Sequence, residues 1–384
     1  MRQMPFALDE YKNRYGRLKK LMNDKGMDAV LLLSGANVQY FSGYPAPDLS
    51  MPRPFFLLLP AEGDPVFLVH VARQLEARAY NWIEDIRTYD TLVSLPPELP
   101  SLLKDAGLSE AAVGCELGTE MCLNLPVMHF EALKKALPGA RFVDASDLIW
   151  ELRIIKSPAE IACHKEACRI TGEAYLATFQ AIGPGTTQNE VARLMKVHMI
   201  ERGGANPFLV INSGKGTYDF ATGQPSDRKL ESGDILWMDG GCTVNGYWSD
   251  FSRAAVVGKP SAEQKDMHRE IVRITQACVD KIRPGVRCSE LAQFCNEELQ
   301  HLPAPITSSI SGLAARVGHG VGLAITEPPH IAEYEKRPLE PGMVITVEPG
   351  VGTTYGTFHF EADVVVTADG HEVISTLPPE LFEV

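Results

Sequence analysis

Two segments of the chain share the same order of features: an apolar run that follows a glycine, an acid, a glycine-rich turn, a second acid and another apolar run. The first segment runs from Asp239 to Asp250 and the second from Glu348 to Glu361. Short apolar runs bounded by glycine and polar residues are typical of paired strands. We therefore predict two related β-hairpins, each of which brings two carboxylates together across neighbouring strands.

The similarity extends upstream of both hairpins. Residues 183–192 resemble residues 283–292, and residues 169–171 are echoed by residues 273–275. Each match alone is compatible with chance among common residue types. Because three matches occur in the same order, we interpret them as an internal duplication of a helix–helix–hairpin unit. Such a unit predicts a domain with pseudo-twofold symmetry, in which the four acids converge near the axis.

The first third of the chain has the pattern of an α/β domain. Residues 8–25 carry apolar side chains at helical spacing and end before Gly26, which is a helix-stop signal. Residues 28–33 read as a buried strand, and the apolar runs 55–59 and 66–69 flank a turn. Further along, we predict helices at 97–107 and 128–136 and strands near 113 and 141–143.

A length of 384 residues favours two domains. The boundary is predicted near Arg153, because Ser157 and Pro158 fit the N-cap and first position of a helix and Glu160 lies in its first turn. That helix is expected to continue to Ile182. We therefore expect an α/β domain over 1–153 and an α+β domain over 154–384.

The composition excludes several classes of partner. The net charge of −13 argues against a nucleic-acid partner, and no apolar run approaches the length of about 18 residues that crosses a membrane. The first 25 residues lack the apolar core of a signal peptide. The eight cysteines form no C-x-x-C pair and are predicted to be buried thiols. We expect a cytoplasmic protein.

The hairpin acids and one histidine predict a metal centre. Singly, an acid after a strand usually caps a turn, and a histidine usually packs in the core. Four acids packed together repel one another unless cations neutralise them, and His319 stands in the glycine-rich segment 318–322 between the hairpins. We predict a site for two divalent ions, for which manganese, cobalt, iron and zinc are all suitable. The predicted ligands are Asp239, Asp250, His319, Glu348 and Glu361.

The order of these residues resembles the pita-bread metallohydrolases, the family of prolidase, aminopeptidase P, methionine aminopeptidase and creatinase. The matching motifs around the ligands are the segments 239–253, 318–323, 345–350 and 360–367, and 28–33 and 37–43 resemble the creatinase-type N-terminal domain. The resemblance covers nearly the whole chain. It implies a creatinase-type N-terminal domain followed by a pita-bread catalytic domain.

The resemblance also implies an activity, which is cleavage of an amide C–N bond in a small peptide by water activated at two metal ions. Relatives with this N-terminal domain are usually homodimers. Within the site, we expect Glu348 to accept the proton of the attacking water. We assign Asp250 and Glu361 as bridging ligands, with Asp239 on one ion and His319 and Glu348 on the other.

Three positions depart from the family pattern. Thr222, Thr326 and His359 stand where the peptidases carry His, His and Arg. A threonine hydroxyl donates a hydrogen bond but does not deliver a proton at neutral pH as an imidazole does. The remaining candidates for proton transfer are therefore Glu327, His330 and His359, although His330 fits a surface loop equally well.

These departures leave other functions open. One alternative is a hydrolase whose substrate is a small non-peptide amide or a cyclic compound instead of a dipeptide. Another alternative is a metal-assisted lyase. A catalytically silent binding domain is a further alternative, against which the retention of five ligands argues. The proline-rich loop 44–54 is expected either to reach a neighbouring active site or to act as a rigid connector.

Overall fold

A computed structural model describes residues 3–46, 53–303 and 305–384, and the chain divides into two compact units, Met1–Arg153 and Ile154–Val384. Most of the proline-rich loop for which two roles were expected, residues 47–52, lies outside the described residues. In the described part of the chain, no helix combines the length and the apolar character needed to cross a membrane.

In the N-terminal unit, residues 3–46 and 53–153 contain one six-stranded sheet. Its strands are β1 (Ala29–Leu32), β2 (Phe56–Pro60), β3 (Val66–His70), β4 (Asp85–Tyr89), β5 (Ala112–Cys115) and β6 (Arg141–Asp144). Its helices are α1 (Leu8–Lys25), α2 (Gly35–Ser42), α3 (Gln74–Tyr80), α4 (Glu98–Asp105), α5 (Val127–Ala136) and α6 (Ser146–Arg153). The strand order is β4-β3-β2-β1-β5-β6, with β1–β2 and β2–β3 antiparallel and the other pairs parallel.

The central strands of this sheet are buried along their whole length. Strands buried on both faces consist of continuous apolar runs without alternation, which explains why 28–33, 55–59 and 66–69 could be identified as strands from sequence. Helix α1 buries the side chains at its helical spacing, such as Tyr11 and Leu18, and ends at Gly26, whose φ of 64° is left-handed.

The described residues of the C-terminal unit form four long helices, one short helix and three sheets. The helices are α7 (Pro158–Ala181), α8 (Gln188–Glu201), α9 (Ala262–Val279), α10 (Cys288–Leu299) and the short α11 (Ile310–Ala314). The strands are β7 (Ala205–Ser213), β8 (Ile235–Val244), β9 (Tyr247–Trp248), β10 (Phe251–Val256), β11 (Ser308–Ser309), β12 (His319–Gly320), β13 (Glu327–His330), β14 (Val344–Val347), β15 (Gly350–Gly352), β16 (Thr357–His359), β17 (Ala362–Val366), β18 (His371–Val373) and β19 (Phe382–Glu383). The sheets have the orders β19-β10-β8-β7, β11-β15-β16 and β13-β12-β14-β17-β18, and β9 pairs with β8.

The predicted duplication is visible in the backbone hydrogen bonds of this unit. The N–H of Gln188 donates to the carbonyl oxygen of Arg228 at 3.0 Å, and the N–H of Cys288 donates to that of Arg337 at 3.0 Å. These bonds tie the start of α8 and the start of α10 to corresponding loops. Each half therefore contains two long helices followed by a strand pair, β8–β10 or β14–β17, and the predicted fold class is confirmed.

The two acid-bearing segments differ in how the paired strands are joined. In the first half, β8 and β10 pair with Asp239 opposite Ser252, and the connection contains only the short strand β9. In the second half, β14 and β17 pair with Val347 opposite Ala362, so that Glu348 and Glu361 follow and precede the paired strands. Their connection forms β15 and β16, which belong to a separate sheet with β11. The second hairpin therefore contains an additional pair of strands, β15 and β16, that was not predicted from sequence.

Candidate metal centre

The five predicted ligands come from five different places in the C-terminal unit and meet in one cluster. One group of ligand atoms comes from Asp250, His319 and Glu361, and within it all atoms lie within 4.8 Å of one another. A second group comes from Glu348, His359 and Glu361, within the same limit. Glu361 belongs to both groups, which is the position expected of a bridging carboxylate. Asp239, in neither group, interacts electrostatically with Glu348 and His359.

His319 is oriented as a metal ligand. Its Nε2 lies 3.5 Å from Asp250 Oδ2 and 3.6 Å from Glu348 Oε1. On the other side of the ring, Nδ1 lies 2.9 Å from the carbonyl oxygen of Gly320, which can only accept a hydrogen bond. This contact assigns the proton to Nδ1 and leaves the lone pair of Nε2 facing the carboxylates, an arrangement common among metal-binding histidines. Burial lowers the pKa of His319, so the ring is neutral at pH 7.

The carboxylates of the cluster resist ionisation in the absence of a cation. Burial raises the pKa of Asp239 to about 6, and burial together with repulsion from neighbouring acids raises the pKa of Asp250 and of Glu361 far above their ordinary values. Glu348 behaves differently. Burial opposes its ionisation, but electrostatic interactions with His359, His319 and Arg316 outweigh burial and lower its pKa.

Unpaired oxygens show that the residues present suit a divalent ion. Asp239 Oδ1, Glu348 Oε1 and Glu361 Oε2 are buried and have no hydrogen-bond partner among the described residues. Buried polar atoms are nearly always paired, so three carboxylate oxygens without a protein partner in one cluster fit the donor atoms of a cation site. Carboxylate oxygens with imidazole nitrogens are the donor set of first-row divalent metals. Such ions would be held by the acids and by Nε2 of His319.

Asp363 supports the cluster from behind and was not identified from sequence. Its Oδ2 accepts a hydrogen bond from the backbone N–H of Asp250 at 2.9 Å, and Cys168 Sγ donates to the same oxygen at 3.1 Å. Burial raises the pKa of Asp363 to about 7. Asp363 lies in the segment 360–367 that resembles the family, but no role was predicted for it from sequence. An acid directly before an apolar run, two residues after a predicted ligand, is the signal that identifies it.

Arg316 is a second residue that sequence reasoning missed. Its Nε lies 3.6 Å from Glu348 Oε1, its Nη1 lies 3.3 Å from His330 Nδ1 and its Nη2 lies 3.4 Å from Thr326 Oγ1. The guanidinium thus lies between a predicted ligand, the predicted proton-transfer residue His330 and the departing position Thr326. Its place three residues before His319 is the only signal in the sequence.

The predicted proton-transfer residues have different surroundings. Glu327 is fully buried, with Lys156 Nζ at 3.4 Å from its Oε2 and the N–H of Ala324 at 2.9 Å from its Oε1. These are the contacts of a buried ion pair, and a catalytic role for Glu327 stays a prediction. His330 is half-buried on the strand next to His319, and His359 lies within the second ligand group. Thr222, by contrast, is exposed in the loop after β7.

Comparison with known proteins places this geometry in a family. Residues 162–368 match the model of metallopeptidase family M24, and residues 14–155 match the creatinase/prolidase N-terminal domain. The chain is 27% identical to a Xaa-Pro dipeptidase of Pyrococcus horikoshii over 98% of this chain and 100% of that protein. Among solved structures, it is similar to a Xaa-Pro dipeptidase from Bacillus anthracis, with a TM-score of 0.85, 26% identity and coverage of 97% of this chain and 100% of that chain.

A second solved structure, the prolidase from Pyrococcus horikoshii, matches with a TM-score of 0.81 and 27% identity, over 96% of this chain and 100% of that one. The two-domain architecture and the hydrolase class predicted from sequence are therefore confirmed. The family implies divalent metal binding, in agreement with the cluster of acids and imidazoles. This chain belongs to metallopeptidase family M24, as a metal-dependent hydrolase with a creatinase-type N-terminal domain.

Proposed function

We propose that this chain is a Xaa-Pro dipeptidase that binds two divalent ions, drawn from manganese, cobalt, iron and zinc. The observation that carries the proposal is the cluster itself, in which two groups of ligand atoms share Glu361. The end-to-end similarity to Xaa-Pro dipeptidases supports the substrate class. When bound, divalent ions at such a site make water nucleophilic at neutral pH and polarise the scissile carbonyl.

Glu348 is the proposed general base. Its lowered pKa keeps the carboxylate ionised at pH 7, although it lies among acids whose pKa values are raised. In the reaction, the oxygen of water bonds to the carbonyl carbon while a proton passes to the carboxylate of Glu348. The C–N bond to proline then breaks, and the proline nitrogen takes up a proton.

The imidazole of His330 is the proposed source of that proton. It is half-buried, and its neighbour on the adjacent strand is His319. It also lies 3.3 Å from the guanidinium of Arg316 through Nδ1. This placement supports the proposal that His330 takes the role implied for the histidine that related peptidases carry at the position of Thr326. Delivery of a proton at neutral pH is a reaction that imidazole supports and the hydroxyl of Thr326 does not.

Arg316 is proposed to bind the C-terminal carboxylate of the dipeptide. Its side chain is 24% exposed, lies against Glu348 and extends towards His330 and Thr326. A guanidinium pairs with a carboxylate through two parallel hydrogen bonds, which gives orientation as well as affinity. A free carboxylate close to the scissile bond is the feature that distinguishes a dipeptide from a longer peptide.

The proposal also covers the compartment and the oligomeric state of the protein. Its eight cysteines are free, which suits a reducing compartment such as the cytoplasm. A homodimer is proposed from the family resemblance, and light scattering coupled to size-exclusion chromatography measures it directly. A mass of about twice the 42.1 kDa of the chain is the expected result.

A substrate panel tests the function. Metal-loaded protein is assayed on Ala-Pro, on Ala-Pro amide, on an Ala-Pro-Xaa tripeptide and on a small cyclic amide. We expect turnover of Ala-Pro that a chelator abolishes and added metal restores. Turnover of the cyclic amide alone would favour the non-peptide hydrolase to which Thr222 and Thr326 point. Absence of any turnover in protein that binds metal would favour a silent binding domain.

Variants of Arg316 test the dipeptide preference. We expect Arg316→Gln to raise KM for Ala-Pro by at least about tenfold, because a charge-assisted pair contributes roughly 1.5–3 kcal/mol. The same variant should change KM for Ala-Pro amide much less. Arg269→Gln is the matched control, since Arg269 is 69% exposed on α9 and pairs only with Asp266 in the described contacts. Equal effects on both substrates would contradict the assignment.

A further inference from the structure

We propose that His359 is an additional protein ligand of the metal centre, completing a second ligand group with Glu348 and Glu361. The inference rests on the proposed binding of two divalent ions. It changes the interpretation of His359, which the sequence suggested as a proton-transfer residue. Related peptidases carry an arginine at this position, and a guanidinium has no lone pair to give to a metal. The exchange of arginine for histidine therefore adds a donor atom to the site.

The spacing of the atoms is that of ligands around one ion. His359 Nε2 lies 3.8 Å from Glu348 Oε2, which is too long for a hydrogen bond. The distance is close to the 3.5 and 3.6 Å between His319 Nε2 and its carboxylate neighbours. Two atoms that each lie about 2.1 Å from one ion are separated by roughly 3.0–3.4 Å in octahedral or tetrahedral geometry. A small inward movement of the two side chains would bring His359 Nε2 and Glu348 Oε2 from 3.8 Å to that separation.

The contacts of Nδ1 prepare Nε2 to bind a metal. The hydroxyl of Ser252 lies 2.7 Å from His359 Nδ1 and donates to the carbonyl oxygen of His359 at 3.3 Å. Because a hydroxyl has one proton, its donation to the carbonyl leaves Ser252 Oγ to accept from Nδ1–H. The proton then resides on Nδ1, and the lone pair of Nε2 faces the carboxylates. His319 has the same arrangement through Gly320.

Packing holds the imidazole of His359 in this orientation. The ring is 3% exposed and makes an edge-to-face contact with Trp237 at 5.2 Å between ring centroids. On the strand beside it, a Cβ at Gly350 would lie 2.4 Å from His359 Cδ2, so only glycine leaves space for the ring. A rigidly held donor keeps little rotational freedom to lose on binding an ion.

The additional imidazole has a consequence for metal choice. With His359, each ligand group contains one nitrogen donor, whereas five ligands of the family type provide one nitrogen for the two ions together. Imidazole favours zinc, cobalt and iron over manganese. We therefore infer that the second position of this centre discriminates more strongly against manganese than a site with arginine at position 359.

Metal titration of five proteins tests the inference without an activity assay. Metal-free wild type, His359→Asn, His359→Arg, Ser252→Ala and the control His371→Asn are titrated with Zn²⁺ and with Mn²⁺ by calorimetry. His371 is suitable because it lies in the same unit, is half-buried, contacts the carbonyl of Ile282 and belongs to neither ligand group. Visible absorption of the Co²⁺-loaded proteins reports directly on the donor atoms.

We expect wild type and His371→Asn to bind two equivalents of Zn²⁺. Both variants of His359 should bind the second equivalent at least about tenfold more weakly, with a smaller loss for Mn²⁺ and an altered Co²⁺ spectrum. Ser252→Ala keeps the imidazole and should show a smaller loss, which tests the inference even if one His359 variant fails to fold.

Unchanged Zn²⁺ affinity and an unchanged Co²⁺ spectrum in His359→Asn would overturn the inference. Failure of wild type to bind a second ion would also overturn it, together with the metal part of the proposed function. Two bound ions without turnover of Ala-Pro would count against the dipeptidase alone. The titration and the substrate panel therefore separate the two proposals.

Discussion

The guanidinium of Arg253 ties together the backbone around the metal centre. It donates hydrogen bonds to the carbonyl oxygens of Ser252 at 2.7 Å, Glu361 at 2.8 Å, Ser375 at 3.2 Å and Leu377 at 2.7 Å. The side chain is 1% exposed, and burial lowers its pKa to about 10, so the group stays protonated at pH 7. A planar fork of donors suits four carbonyl oxygens in a way that an ammonium group does not.

We predict that Arg253→Lys lowers the free energy of unfolding of the metal-free protein by at least about 3 kcal/mol, because buried carbonyl groups lose their donors. Urea denaturation followed by circular dichroism measures the change. The control is Arg269→Lys, whose exposed ion pair should change the free energy of unfolding by less than about 1 kcal/mol. Similar losses in the two variants would contradict the role assigned to Arg253.

Sequence predicts some residues of the site and not others, for a physical reason. Asp239, Asp250, Glu348 and Glu361 could be identified because each pair is placed by a local strand connection and repeated along the chain. The contact between Ser252 and His359 spans 107 residues and depends on how β10 and β16 approach each other. Spacing in the sequence carries no information on that approach. Arg316 was missed for the same reason, because its contacts are with His330 in β13 and with Glu348, which directly follows β14.

At the scale of elements, α7 is anchored to the first acid-bearing strand pair through β9. His164 on α7 lies 2.6 Å from the carbonyl oxygen of Trp248 through Nδ1, and its ring meets that of Tyr247 edge to face at 5.4 Å between centroids. The hydroxyl of Tyr247 donates to Glu160 Oε1 at 2.8 Å. His164 is completely buried, and burial and the nearby charge of Lys156 lower its pKa to about 4.

This lowered pKa predicts a pH dependence of stability. The unfolded chain binds a proton at the ordinary histidine pKa of 6.5, whereas folded His164 does so only near 4. The contribution of neutral His164 to the free energy of unfolding is therefore complete above pH 6.5. It falls by roughly 3 kcal/mol as the pH decreases to 4. We expect His164→Gln to reduce the difference between the free energies of unfolding at pH 7 and pH 4.5. Exposed His301→Gln should keep the wild-type difference, and a profile shared by all three proteins would contradict the prediction.

Elements with strong local signals could be predicted, and elements without them could not. Helix α7 begins at Pro158 as predicted, because Ser157 and Glu160 form a capping box at its start. Helix α2 was missed, since most of its eight residues are buried and it has no polar face to create a helical period. The separate sheet of β15 and β16 was also missed, because two three-residue strands resemble a loop in the sequence.

At the scale of the whole molecule, all the predicted metal ligands belong to the C-terminal unit. Every predicted ligand lies between Asp239 and Glu361, and this unit has its own core around residues such as Met238 and Phe251. The N-terminal unit has a separate core around residues such as Leu31 and Leu58. We propose that 1–153 and 154–384 are independent domains.

Removal of metal should therefore affect one unit only. Ions that bind only the folded state stabilise it by about 2.7 kcal/mol when their free concentration is 100 times the dissociation constant. This free energy corresponds to a shift of roughly 5–10 °C in the Tm of a domain of this size.

Hydrogen exchange measured by mass spectrometry shows which segments lose protection when the metal is removed. After chelation, we expect faster exchange in β8, β14 and β17, while β1, β2 and β5 keep their protection because every predicted ligand belongs to the other unit. Equal loss of protection in both sets of strands would mean that the units unfold together, and it would contradict the proposed independence. Unchanged exchange in β8, β14 and β17 would contradict the metal centre itself.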